Sequence, residues 1–118
     1  MKNNDNKIIV KDIIGSNKAV SSEKGDMVFK IIDTFLSQRE DIILDFEDIE
    51  LMTTAFLNAA IGQLYSKYTG EQLNDHLRPI NLQSDDKEMF IMVLERAKQF
   101  FADKKGFEDS ANNSFYGK

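Results

Sequence analysis

The sequence predicts one α/β domain, a mixed β-sheet backed by helices. Three observations carry that reading. Short β-branched runs, Ile8-Ile9-Val10 and Ile42-Ile43-Leu44, alternate with longer stretches whose apolar residues recur at spacings of three and four. The two kinds of segment interleave rather than segregate, the order produced by strands joined through right-handed helical crossovers. The 118 residues, 42% hydrophobic and 30% charged, suffice for one core and not for two.

Taken in order, Ile8 to Ile14 reads as a strand ending in the turn Gly15-Ser16-Asn17. Ala19-Val20 reads as a short returning strand, which would make a hairpin. Met27, Val28, Ile31, Ile32, Phe35 and Leu36 form the stripe of an amphipathic helix. Ser21 or Ser22 can cap it, Glu23 suits its first turn, and it should stop near Arg39. Gly25 sits early in it, where glycine costs least. Ile42 to Phe46 reads as a buried, partly parallel strand, apolar on both faces until Asp45. Phe46 should be buried where this strand meets the helices. Glu47-Asp48-Ile49-Glu50 is a charged loop pinned by one isoleucine.

Thr53 or Thr54 can cap a second helix, whose stripe is Phe56, Leu57, Ala60, Ile61, Leu64, Tyr65 and Tyr68. The small Ala59 and Gly62 allow another element to come close, and Thr69-Gly70 reads as the helix end. Leu77 to Leu82 is a short strand in which Pro79, lacking an N–H, belongs at the start or on an edge. Ser84-Asp85-Asp86 opens a third helix, with Asp85 and Glu88 spaced as in a capping box. Its stripe runs from Met89 and Phe90 through Val93, Leu94 and Ala97 to Phe100 and Phe101. Lys104-Lys105 suit its C-terminus and Gly106 its end. The domain is then residues 1–106, and residues 107–118, rich in Asn, Ser and Gly, read as a flexible tail.

Much chemistry is excluded. The absence of cysteine removes disulfides, thiolate nucleophiles and cysteine-ligated metals. A net charge of −5 argues against nucleic acid as a partner. There is no apolar run long enough for a membrane span, and the Asn-rich Met1–Lys7 stretch has no secretory pattern, so a cytoplasmic location is expected. The six glycines form no phosphate-cradling cluster. His76 is the lone histidine; it reads as a surface or strand-start residue with no evident partner to make it a general base. The serines lack a nucleophile-elbow context. Asp45, Glu47, Asp48 and Glu50 are the densest acidic cluster, but their spacing matches no calcium loop. No catalytic group, metal or cofactor is therefore expected.

One segment carries a resemblance. From Leu44 to Leu57 a strand ending Leu44-Asp45-Phe46 is followed by a short loop with the inward Ile49 and by Thr53-Thr54 at a helix start. This resembles the STAS domain of anti-sigma factor antagonists, in which a Leu-Asp strand leads to Asp-Ser-Ser-Gly at the start of a helix. Without gaps, Thr53 falls on that Asp, Thr54 on the first Ser, Ala55 on the second and Phe56 on the Gly. The first Ser is the phosphorylated residue of that family, so the resemblance implies Thr54, or its neighbour Thr53, as phosphoacceptor. The chain is still more similar to the STAS-like domains of unknown function, through Leu44-Asp45-Phe46, Ala55-Phe56, the small-residue helix Ala59 to Leu64 and Ile80-Asn81-Leu82. The resemblance spans about Ile8 to Phe101 and implies a single STAS-like domain.

The function so implied is a non-catalytic regulatory interaction module, switched by phosphorylation at the start of the second helix. Its partner would be a histidine-kinase-like ATPase, meeting a surface made of Asp45, Glu47, Asp48, Glu50, Thr53, Thr54 and Phe56. The alternative is a small ligand- or nucleotide-binding domain using the pocket between the strand ends and the Thr53-Thr54 turn.

Overall fold

The computed structural model describes the backbone of residues 6–115 and the side chains of residues 6–102. Its elements, in order, are β1 (Asn6–Ile9), α1 (Val10–Ile14), β2 (Lys18–Ala19), α2 (Ser22–Ser37), β3 (Ile42–Asp45) and β4 (Leu51–Met52). They continue as α3 (Thr54–Ala60), a 3-10 helix (Gly62–Ser66), α4 (Gly70–His76), β5 (Leu77–Ile80) and α5 (Ser84–Phe115).

β3 lies between β1 and β5, and both pairings are parallel, with Ile8 opposite Leu44 and Leu44 opposite Pro79. β2 and β4 form a separate two-stranded sheet, also parallel. The α/β order is as expected, but the sheet is parallel rather than mixed and the Ala19-Val20 hairpin does not form. The reason is that β1 ends at Ile9. Val10 and Ile14, four apart, both turn inward on a single helical turn that Gly15 closes in the left-handed conformation, at φ 68°. The chain thus enters β2 after a crossover instead of a reversal.

Registered residues of a sheet share a face. Ile8, Ile42, Leu44 and Leu77 are buried in one core with Val28 and Ile32 of α2, Phe56 and Leu57 of α3, and Phe90 and Val93 of α5. Phe46 is buried as expected, its ring edge-on to Phe90 at 6.0 Å. Pro79 lies on the outermost strand, β5.

Ser21 caps α2 by accepting from the Lys24 N–H, and Arg39 closes the other end at φ 63°. There the Arg39 and Glu40 N–H groups reach back to the Leu36 and Phe35 carbonyls, a Schellman closure with arginine where glycine is usual. Gly25 has a stronger reason than low cost. A Cβ there would lie 2.4 Å from the Phe56 carbonyl oxygen and 2.6 Å from the Ala59 Cβ, so α2 and α3 touch through backbone.

The second helix breaks at Ile61 and tightens into the 3-10 segment. Thr69 does not end a helix. It starts α4 with a complete capping box, its hydroxyl accepting from the Gln72 N–H while the Gln72 side chain accepts from the Thr69 N–H. Nor does Gly106 end the last helix, whose backbone stays helical to Phe115. The side chains of the expected tail, residues 107–118, lie outside the described residues. No helix among the described residues is long and apolar enough to cross a membrane.

Candidate functional site

The site is built on the small sheet. Lys18 pairs with Leu51 and Ala19 with Met52, and the ladder is extended by the Glu50 N–H to Asn17 and the Thr53 N–H to Ala19. Alternation sends Ala19 and Met52 inward, where both are buried. It leaves Val20 38% and Leu51 50% exposed on the outer side.

The two threonines at the end of this sheet differ. Thr53 is the cap of α3: its Oγ1 accepts from the Phe56 N–H at 3.2 Å and donates to the Val20 carbonyl at 2.7 Å. Thr54 is the first residue of α3, is exposed, and its hydroxyl has no hydrogen-bond partner among the described residues. An incoming reagent would meet Thr54 first, because reaching Thr53 breaks two hydrogen bonds.

The acidic cluster divides in the same way. Glu47, Asp48 and Glu50 are exposed, and Asp48, at φ 64°, pairs with Lys11 at 3.1 Å. Asp45 is fully buried. Its Oδ1 accepts from Asn81 Nδ2 at 2.8 Å and from the Glu47 N–H at 2.9 Å, while Oδ2 lies 3.3 Å from Lys7 Nζ. Burial pushes this carboxyl up, but Asn81, the Glu47 N–H and Lys7 outweigh it and hold Asp45 below its ordinary value. Oδ2 has the ion pair but no hydrogen bond. Asp45 therefore ties the end of β3 to β1 and to the turn after β5. Asp45 and Phe56 are both sealed in the interior, so their expected place on a partner-contact surface is corrected. Ile49 is buried and pins the loop as expected, helped by Gln83, whose amide donates to the Ile49 carbonyl.

His76 does have a partner, which its position 35 residues away hides in the sequence. Its Nδ1 lies 2.6 Å from Asp41 Oδ1, at the opposite end of β3 from Asp45. The ring makes no second hydrogen bond among the described residues. Tyr68 is half-buried and donates to Asp33, which also pairs with Lys67 at 2.7 Å. Burial, and then the Asp33 carboxylate, push the Tyr68 phenol up to about 12, and Lys67 and Tyr68 together hold Asp33 low. Among the described residues no group of three or more acidic or histidine side chains is placed to hold a metal ion.

An apolar cavity of about 300 Å³ lies between β5 and α5, away from the Thr53-Thr54 turn. Its lining includes Ile80, Asn81 and Leu82 but, among the described residues, none of β4 or α3.

Residues 24–87 match the family described as a STAS-like domain of unknown function (DUF4325). The chain belongs to that family. Neither the curated proteins nor the solved structures contain a match to it. The span of the STAS-like match runs from α2 to the first turn of α5 and holds Leu51, Thr53 and Thr54; Val20 precedes it.

Val20 and Leu51 are the site residues that sequence reasoning missed. Two-residue strands show no alternation, so nothing in the local pattern said which residue faced out. The one available signal was that two aliphatics, Val20 and Leu51, each stand beside a small or apolar inward residue and within two positions of a helix cap.

Proposed function

We propose that this STAS-like domain is a regulatory protein-interaction module without catalytic activity of its own, docking a protein partner on the outer side of β2 and β4. The observation that carries the reading is the exposed pair Val20 and Leu51 beside the Thr54 hydroxyl, which has no partner among the described residues. Exposed aliphatics on a rigid, hydrogen-bonded platform favour association over solvation. Glu47, Asp48 and Glu50 border the platform and would select a partner with a basic rim.

The STAS resemblance supports a histidine-kinase-like ATPase as that partner and phosphorylation of Thr54 as the switch. The γ-phosphoryl group of ATP would pass to Thr54 Oγ1, releasing ADP and the hydroxyl proton. A charge of about −2 would then stand four residues after Glu50 and close to the other loop acids, weakening a contact selected for the neutral surface.

The test is binding of the purified domain to such an ATPase, for wild type, Leu51→Ser, Thr54→Ala and Thr54→Asp. Leu51→Ser and Thr54→Asp should each weaken binding at least tenfold at unchanged melting temperature, and Thr54→Ala should bind normally yet take up no phosphate. Equal binding by all four would overturn the docking surface; phosphate on Thr54→Ala would overturn Thr54 as the acceptor.

A further inference from the structure

The cavity between β5 and α5 belongs to none of the contacts just described. Leu73, Leu77 and Phe90 form its buried floor, and Leu82, Ile91 and Leu94 rise around its mouth. Ile91 is 54% exposed at that mouth. At about 300 Å³ the space is about twice that of a cavity that takes up benzene.

The open edge of β5 limits what can enter. Ile80 turns its carbonyl toward β3, where it accepts from the Phe46 N–H at 3.0 Å. In a parallel ladder the alternate residues then face away, so Leu77 and Pro79 point to the free edge. Pro79 has no N–H, and the Leu77 N–H is spent on the Leu73 carbonyl. The edge therefore offers acceptors and no donors, and a peptide strand laid along it would lose half its ladder. A helix, roughly 10 Å across, would lay only a few side chains into about 300 Å³. What fits is a small molecule with an apolar body.

Charge narrows the class. Among the described residues, Lys87 is the one charged side chain that lines the cavity. It stands in the first turn of α5, a 32-residue helix whose free N–H groups add positive potential at the same end. Asp85 and Asp86 share that turn but do not line the space. Asn74, Asn81 and Tyr65 are neutral polar residues of the lining, and Asn81 is held at φ 62° with its amide fixed on Asp45.

We propose that the cavity between β5 and α5 binds an amphipathic monocarboxylate, its apolar body of roughly eight to ten carbons on the Leu73–Leu77–Phe90 floor and its carboxylate on Lys87. Occupancy covers Ile91 and joins β5 to α5 through the ligand. This site is separate from the Thr54 surface, so the two readings stand or fall independently.

The test uses the full chain and three probes of equal length at concentrations below micelle formation: decanoate, decanol and decyltrimethylammonium. Titration calorimetry gives the affinities, and amide and methyl shifts give the location. Decanoate should bind saturably, at least tenfold more tightly than decanol, with decyltrimethylammonium weakest. The shifts should cluster at Leu73, Leu77, Leu82 and Leu94. Lys87→Gln, an exposed position, should bring decanoate down to the affinity of decanol while leaving decanol binding and the melting temperature unchanged. Ile91→Asp, also exposed, should lower decanoate affinity at least tenfold by placing like charge at the mouth. No saturable decanoate binding would overturn the site. Equal affinity for decanoate and decanol, or a preference that survives in Lys87→Gln, would overturn the carboxylate assignment. Shifts centred on Val20 and Leu51 would place the binding elsewhere and overturn the proposal.

Discussion

Leu44 and Leu51 stand a loop apart on two parallel sheets and meet different surroundings. Leu44, in the middle strand of three, is fully buried among residues from α2, α3 and α5. Leu51, on a sheet of two strands, is half exposed. The large sheet is packed against helices that bury Ile8, Ile42, Leu44 and Leu77 and leave Ile9, Ile43 and Ile80 half-buried. The small sheet fully buries only its inward residues, so the aliphatics on its outer side, Val20 and Leu51, gain less from folding. A substitution should therefore be read differently in the two places: as a loss of stability in the first, and as a loss of recognition in the second.

The strongest attempt to break that contrast is at the large sheet. Phe46→Ala removes a buried ring and its edge contact with Phe90, and should cost about 3–5 kcal/mol, read from the denaturant midpoint. A midpoint that did not move would mean that the core does not depend on this ring. Next comes the seam between α2 and α3. Gly25→Ala forces a methyl group against the Phe56 carbonyl, and the helices must separate at a cost of roughly 3 kcal/mol. Thermal melting should show this, and an unchanged melting temperature would show that the seam yields freely.

Acid sharpens the comparison through Asp45. Its folded pKa lies below the ordinary value, so its contribution is fully present above about pH 4 and is lost as pH falls through the folded value. Asp33 adds in the same direction. The melting temperature should therefore fall steeply below about pH 4, and Asp45→Asn should start lower at neutral pH but fall less. Parallel curves for the two proteins would remove Asp45 from the acid response. The smallest effect is at the turn. Thr53→Ala should cost about 0.5–2 kcal/mol because it uncaps α3, whereas Thr54→Ala should stay within about 0.5 kcal/mol. Equal costs would mean that the two hydroxyls share the cap.

What the sequence made legible follows the length of each pattern. β3, α2 and the start of α5 carry runs or stripes long enough to show a period, and Pro79 announced its edge position. α1 has a single turn, so Val10 and Ile14 looked like a continuing strand until Gly15 was seen in its left-handed conformation. α4 buries only Leu73 and has no stripe; its one readable mark was the Thr69–Gln72 capping box, masked by the Gly70 between them. At the candidate site the Thr53 cap was readable, but the choice between Thr53 and Thr54 was not, because it rests on a hydrogen bond to the Val20 carbonyl, 33 residues away. The burial of Asp45 was hidden for the same reason, since its partners Lys7 and Asn81 come from β1 and the turn after β5.

The contact of α2 with α3 at Gly25 has a further consequence for motion. The two helices are joined at one end by backbone contact and by the Thr53 bond to Val20, next to the Ser21 cap. Toward the other end of α2, Asp33 holds Lys67 and Tyr68 just beyond the 3-10 segment. Two attachment points along a common length prevent one helix from swinging without the other. The Thr53-Thr54 turn therefore cannot open as an isolated loop. Its amides should exchange with solvent together with those at the start of α2, as a single cooperative unit.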